Sequence, residues 1–397
     1  MRRLEFIAFC GMVLATTAFS IDAMLPALPE IGQELSPHNL NNAQMVVIFF
    51  VLGLGLGTFF AGPLSDVFGR KPVILCGLLL YLAAALVAWR ATSLELLLAA
   101  RFAQGMGGAA PRIVTVAIIR DLFKGRDMAR IISYAMMVFA LTTAMAPALG
   151  AAIIALSSWR GVFFSFVLFA LLCMLWTSWR LGESLPGAAR RPLRLRPIWE
   201  ALHEMMGIAL VRISVVVFSL CFGMLMTILS TVQQVFEGIF DQGAVFPLWF
   251  GGLAILSASA SFLNARLVAR LGMRPIITLA LGMQIGCTFV VFTAALVLPV
   301  GMGLFVIFLA WLLSLFFTFG LTLGNLNALV MEPLGHVAGL AASVFGAVGT
   351  ILGGAIAIPV GLAFDGTLLP LTSGIGFMAI LAFALMRGVR RGAQESA

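Results

Sequence analysis

Three charged residues in this sequence stand inside apolar runs: Asp22, Arg101 and Arg112. Asp22 follows sixteen residues from Phe6 that carry no charge and precedes Pro26 and Pro29. At about 1.5 Å per residue it lies ~24 Å along a helix from Phe6. Burial disfavours the ionised form of a carboxyl and a nearby cation favours it, so such a group exchanges a proton when its surroundings change. That is the chemistry of a proton carrier; the alternative is an interfacial aspartate at a helix end broken by proline. Arg101 and Arg112 are eleven residues apart, about 1100° of helix, or ~20° past three turns, so both leave one face. Two arginines on one face do not point at hydrocarbon; they line a cavity, meet a partner, or snorkel to an interface. Gln104 lies between them in a run rich in glycine and alanine that ends at Pro111. Gln233, Gln234, Asn325 and Asn327 are further amides in apolar runs, able to orient a substrate or to join helices by hydrogen bonds.

Other chemistries leave no trace in the sequence. No glycine-rich nucleotide loop, nucleophile–base pair or metal cluster is present, so the sequence predicts neither enzyme nor bound cofactor, and an energy source other than ATP. Three histidines (His38, His203, His336) lie far apart, and five cysteines sit in apolar runs without CxxC spacing.

The elements that hold these residues follow from composition. The chain has 397 residues, 62% hydrophobic and 10% charged, against ~45–50% apolar in soluble domains. Twelve helices of about 20 apolar residues would use nearly the whole apolar inventory. Apolar runs fall near 6–28, 43–62, 73–89, 94–119, 131–156, 162–181, 208–236, 246–263, 276–298, 303–329, 340–363 and 371–387. Continuous apolarity at these lengths predicts an all-α integral membrane protein with twelve spans, and excludes a β-barrel, whose segments alternate. The first run lacks a small-residue cleavage site and reads as a retained span.

The net charge of +8 is a topology signal rather than a nucleic-acid signal. With the amino end inside, 20 of the 24 basic residues fall on inner segments and only Arg90 and Arg160 on outer loops, which places both termini in the cytoplasm. The longest polar stretch separates six spans from six, giving bundles over 1–181 and 205–397 with a cytoplasmic linker at 182–204. Gly69-Arg70-Lys71-Pro72-Val73-Ile74 is echoed by Gly272-Met273-Arg274-Pro275-Ile276-Ile277, 203 residues later and at the same place in its half, as parallel repeats produce.

Gly62-Pro-Leu-Ser-Asp66-Val-Phe-Gly69-Arg70-Lys71 resembles the loop 2–3 signature of the major facilitator superfamily. Asp22-Ala-Met-Leu-Pro26-Ala-Leu-Pro29 and the run from Arg101 to Asp121 resemble spans 1 and 4 of its twelve-span drug/proton antiporters. With Asn325-Leu-Asn327 and Gly335-His336-Val-Ala-Gly339, the chain is most similar to the bicyclomycin-resistance (Bcr/CflA) type. The resemblance implies two pseudo-symmetric six-helix bundles and alternating access around a central site. It also implies a gating cluster of Gly62, Asp66, Gly69, Arg70, Lys71 and Asp121, in which the aspartate meets the start of span 11. The family's span 5 signature survives as Thr142-x-x-x-Ala146-Pro147-x-x-Gly150-Ala151, with three of four glycines replaced, and Pro147 is its gating candidate. Arg112 departs from the family pattern.

The expectation is proton-coupled efflux of small amphiphilic compounds or antibiotics from the bacterial inner membrane, by a functional monomer. Asp22 and Arg101 would carry the proton coupling. Arg101, Gln104, Arg112, Gln233, Gln234, Asn325 and Asn327 would line the substrate site. The partners are then a small molecule, protons and lipid, with no nucleic acid. Two alternatives are a dedicated exporter or importer of one anionic metabolite held by Arg101 and Arg112, and a membrane sensor or scaffold that transports nothing.

Overall fold

The computed structural model describes residues 1–187, 190, 196–334 and 338–395. Among them every regular element is helical, and twelve segments are long and apolar enough to cross a membrane. The chain divides into two compact units, Met1–Leu195 and Arg196–Ala397.

Unit 1 runs α1 (Arg3–Asp22), a 3-10 turn (Leu25–Ala27), α2 (Leu28–Leu35), a second 3-10 turn (Leu40–Gln44), α3 (Met45–Phe68), α4 (Arg70–Trp89), α5 (Leu94–Leu122), α6 (Gly125–Leu156) and α7 (Trp159–Arg180). The first span ends its regular helix at Asp22 because Pro26 has no N–H to give the Asp22 carbonyl. Pro29 then starts α2, where a missing N–H costs nothing. The glycine-rich stretch of α5 lets its neighbours approach to backbone contact. A Cβ on Gly53 of α3 would overlap the Phe102 carbonyl, and one on Gly105 would overlap that of Phe50. Gly77 of α4 lies likewise against the Gly107 carbonyl and Ala110. Gly105→Val is therefore expected to split α3 from α5 and abolish accumulation of folded protein, measured as monodisperse material after detergent extraction; Gly108→Ala, whose Cβ meets nothing nearer than 3.7 Å, should accumulate normally.

Unit 2 runs α8 (Arg196–Gly207), α9 (Ala209–Gly238), α10 (Phe246–Ser257), α11 (Ser259–Leu271), α12 (Met273–Val297), α13 (Met302–Met331), α14 (Ala338–Leu362) and α15 (Leu369–Glu395). Two features differ from the sequence expectation. The stretch 182–204, expected as a polar linker, contains most of the helix α8. The eighth span, expected over 246–263, continues to Leu271 and is broken at Ala258 into α10 and α11. The repeated turn has one backbone form in both units: Gly69 sits at φ 101°, ψ 161° and Gly272 at φ 77°, ψ 168°. Both values require glycine.

Candidate functional site

Asp22 closes α1 and is 4% exposed. The residue after it, Ala23, presents its carbonyl to Gly150 of α6 at a distance that leaves no room for a Cβ. The glycine that survives from the span 5 signature thus seats α6 against the break in α1, one turn beyond the buried Pro147. The Thr143 hydroxyl, on the same helix, donates to the Phe139 carbonyl (3.2 Å). Among the described residues no ion pair includes Asp22.

The direct charge pair expected between Asp22 and Arg101 is therefore absent from this structure, and the guanidinium of Arg101 is turned to other acceptors. Nε donates to the Val46 carbonyl (3.0 Å), one terminal nitrogen to Gln104 Oε1 (2.7 Å) and the other to the Ser20 carbonyl (3.0 Å). The guanidinium carbon lies 4.3 Å from the centre of the Phe50 ring, a cation–π placement. The Ser20 hydroxyl, which donates to the Thr16 carbonyl, also meets the Tyr81 hydroxyl. Arg101, Gln104, Ser20 and Tyr81 are all fully buried, and the cluster ties α1, α3, α4 and α5 through polar groups. Asp22 and Arg101 are linked only along the backbone of α1, two residues apart at Ser20. Ser20 carries no sequence mark, since serine is common in membrane helices; Tyr81 is one of only two tyrosines in the chain, a signal that composition alone could have raised.

Arg112, further along α5, is reached by solvent yet enclosed by surrounding protein, and makes no ion pair or hydrogen bond among the described residues. The shared face foreseen for the two arginines is thus covered at Arg101 and open at Arg112. In unit 2, Gln233 is buried with its Oε1 unpartnered, and Gln234 follows it on α9. The Asn325 amide donates to Asn264 Oδ1 on α11 (2.7 Å), and Asn327 is exposed. Asn325 serves as the joint between two helices, one of the two roles open to it from the sequence.

The loop 2–3 residues form one cluster. Arg70 pairs with Asp66 (2.6 Å) and Asp121 (2.9 Å), and donates to the Ser65 hydroxyl. Lys71 donates to the Ser178 carbonyl, and Gly62 accepts from Ser65. A residue not foreseen, Glu183, caps the start of α4: its carboxylate accepts from the backbone N–H groups of Arg70 (2.9 Å) and Lys71 (3.2 Å) and packs on Gly69. An anion at a helix amino terminus is favoured by orphan N–H groups and the helix dipole. Glu183→Ala should lower the thermal midpoint by the equivalent of about 1 kcal/mol, read by a fluorescence melt, with Glu183→Gln losing less. Arg3–Asp127 and a two-bonded Arg180–Glu5 pair tie the ends of α1, α6 and α7. Gly335, His336 and Val337 lie outside the described residues.

Twelve apolar spans in two units, a repeated turn and polar groups buried in helices define a polytopic membrane protein built from two related halves. The Major Facilitator Superfamily profile matches residues 8–358, and the chain belongs to that family. It is 31% identical over 292 residues to a bicyclomycin resistance protein homologue of Haemophilus influenzae, covering 70% of each chain. It is 31% identical over 184 residues to the multidrug resistance protein MdtL of Citrobacter koseri, covering 46% of each. The crystal structure of a D-xylose-proton symporter superposes with a TM-score of 0.76 at 16% identity, over 96% of this chain and 97% of that one, a likeness of fold.

Proposed function

We propose that this chain is a proton-coupled efflux antiporter of small amphiphilic compounds, working by alternating access as a monomer in the bacterial inner membrane with both termini in the cytoplasm. The observation that carries the reading is Asp22: a buried carboxyl at a helix break, free of any ion pair among the described residues and seated on the α6 segment that keeps part of the antiporter signature. A carboxyl without a fixed countercharge can take up and release a proton as its access to water changes. No cofactor enters; the proton gradient supplies the energy. The relatives named for bicyclomycin and multidrug resistance support efflux of drugs. Asp66, Arg70, Lys71 and Asp121 would act as the inner latch, and Arg112, Gln233, Gln234 and Asn327 as the polar contacts of the substrate. A compound-dependent proton-flux screen in liposomes tests the reading. Several unrelated antibiotics should each drive proton movement; a screen in which no compound moves protons overturns it.

A second reading is favoured by one observation, the exposed and unpaired Arg112. Under it the chain moves a single anionic metabolite. Arg112→Ala would then remove one anion's flux while a panel of antibiotic susceptibilities stays flat.

A further inference from the structure

The last turn of α1 carries Asp22 and is short of its own hydrogen bonds. Pro26 has no N–H for the Asp22 carbonyl, and the regular helix ends there. Groups outside the helix must therefore hold that turn wound. On one side the Ala23 carbonyl rests on Gly150 of α6. On the other stands Ser20, gripped twice: its carbonyl accepts from Arg101 (3.0 Å) and its hydroxyl meets that of Tyr81. A serine hydroxyl has one proton to give. Ser20 gives its own to the Thr16 carbonyl (2.6 Å), so Tyr81 is the donor in the bond between the two hydroxyls.

We propose that Tyr81 is a positioning residue for Asp22: by holding Ser20 it keeps the last turn of α1 wound and the Asp22 carboxyl away from Arg101. The functional meaning of that separation rests on the reading of Asp22 as the proton carrier.

Two residues of helix turn through about 200°, so Asp22 leaves α1 on the side away from Ser20 and from the guanidinium bound to it. The carboxyl reaches Arg101 only if the turn unwinds. Few other charges compete for it. Stretches 45–65 of α3, 72–89 of α4, 131–156 of α6 and 161–179 of α7 hold no charged residue, and α5 between Glu95 and Arg120 holds only Arg101 and Arg112. Arg101 is fully buried and outside every described ion pair. Opposite charges attract over several ångströms in an interior of low dielectric, and a restraint on Ser20 opposes that pull. Tyr81 is built to supply it. The residue is fully buried, and its backbone nitrogen is so near α5 that a Cβ on Gly107 would lie 2.5 Å from it. The hydroxyl is thus carried by a fixed ring and does not follow Ser20.

The test is labelling of full-length protein in nanodiscs with dicyclohexylcarbodiimide, an apolar reagent that attacks un-ionised carboxyls. Labelling is read at residue 22 by peptide mass spectrometry, with Asp22→Asn as the blank. Tyr81→Phe keeps the ring and deletes the donor. The released carboxyl then meets Arg101 and ionises, so labelling is expected to fall about fivefold, what one hydrogen bond of ordinary net strength is worth. Tyr81→Phe combined with Ser20→Ala should label as Tyr81→Phe alone does, because both changes remove the same bond. Tyr134→Phe alters the chain's other tyrosine, exposed on α6, and should label as the native protein does. Loosened packing alone would admit more reagent and raise labelling. Native-rate labelling of Tyr81→Phe, a rise in it, or native protein that labels no more than Asp22→Asn would each overturn the proposal. No transport enters the readout, so a chain that labels as expected but moves no proton overturns the efflux reading and leaves the role of Tyr81 standing.

Discussion

Asp22→Asn is expected to reduce uphill, gradient-driven transport to the level of empty liposomes while leaving the protein folded. Asparagine has the shape of aspartate and leaves the close contact of the Ala23 carbonyl with Gly150 untouched, so the junction of α1 with α6 should persist. What it removes is the exchangeable proton. With Asp22 buried and outside every described ion pair, no neighbouring carboxyl stands ready to replace it: the other fifteen acids of the chain fall toward helix ends and loops. Proton movement and compound movement should therefore uncouple together. In proteoliposomes with an imposed pH gradient, the variant should show neither compound accumulation nor compound-dependent proton flux. Exchange of labelled for unlabelled compound, which needs no net proton movement, should persist. Uphill transport at the native rate would show that the proton travels by another group.

The spans and the position of Asp22 were legible because both are written in local composition. A run of apolar residues announces its helix, and a single acid within one is conspicuous. The loop 2–3 cluster was legible through its resemblance to the family signature, which brings Asp66, Arg70 and Asp121 together; the repeat at Gly272 keeps the backbone turn but has Ala269 and Met273 where Asp66 and Arg70 stand. The contacts of Arg101 were not legible, since its acceptors on α1 and α3 are backbone carbonyls of Ser20 and Val46. Every residue owns a carbonyl, so no residue type marks the ones that accept. Periodicity puts Arg101 and Arg112 on one stripe, but a stripe says nothing of where neighbouring helices stop covering it. Glu183 was hidden for a related reason: it is one acid in a polar stretch, and only folding brings it to the exposed N–H groups of Arg70 and Lys71. The break at Ala258 has no proline to announce it.

The difference between the two arginines gives the second large effect. Arg101→Ala removes a fully buried guanidinium and leaves the Val46 carbonyl, the Ser20 carbonyl and Gln104 Oε1 without their donor. Each buried acceptor left unsatisfied costs about 1–3 kcal/mol, and the emptied volume beside Phe50 adds a cavity term. The sum is on the order of 5 kcal/mol, comparable with the whole stability of many domains, so little folded protein should be recovered from the membrane. Arg101→Lys should recover only part of it. An ammonium carries its donors on one atom and cannot reach three acceptors spread around a planar fork. Arg112→Ala, by contrast, leaves no described acceptor without its donor and removes a guanidinium enclosed by surrounding protein, so its thermal midpoint in detergent should not fall below the native one. Any loss of flux in that variant then reports on substrate, whereas loss in an Arg101 variant must first be corrected for folding. If Arg101→Ala melts like the native protein but no longer transports, Arg101 acts on the cargo or the proton directly, and the carbonyl ring around it is incidental.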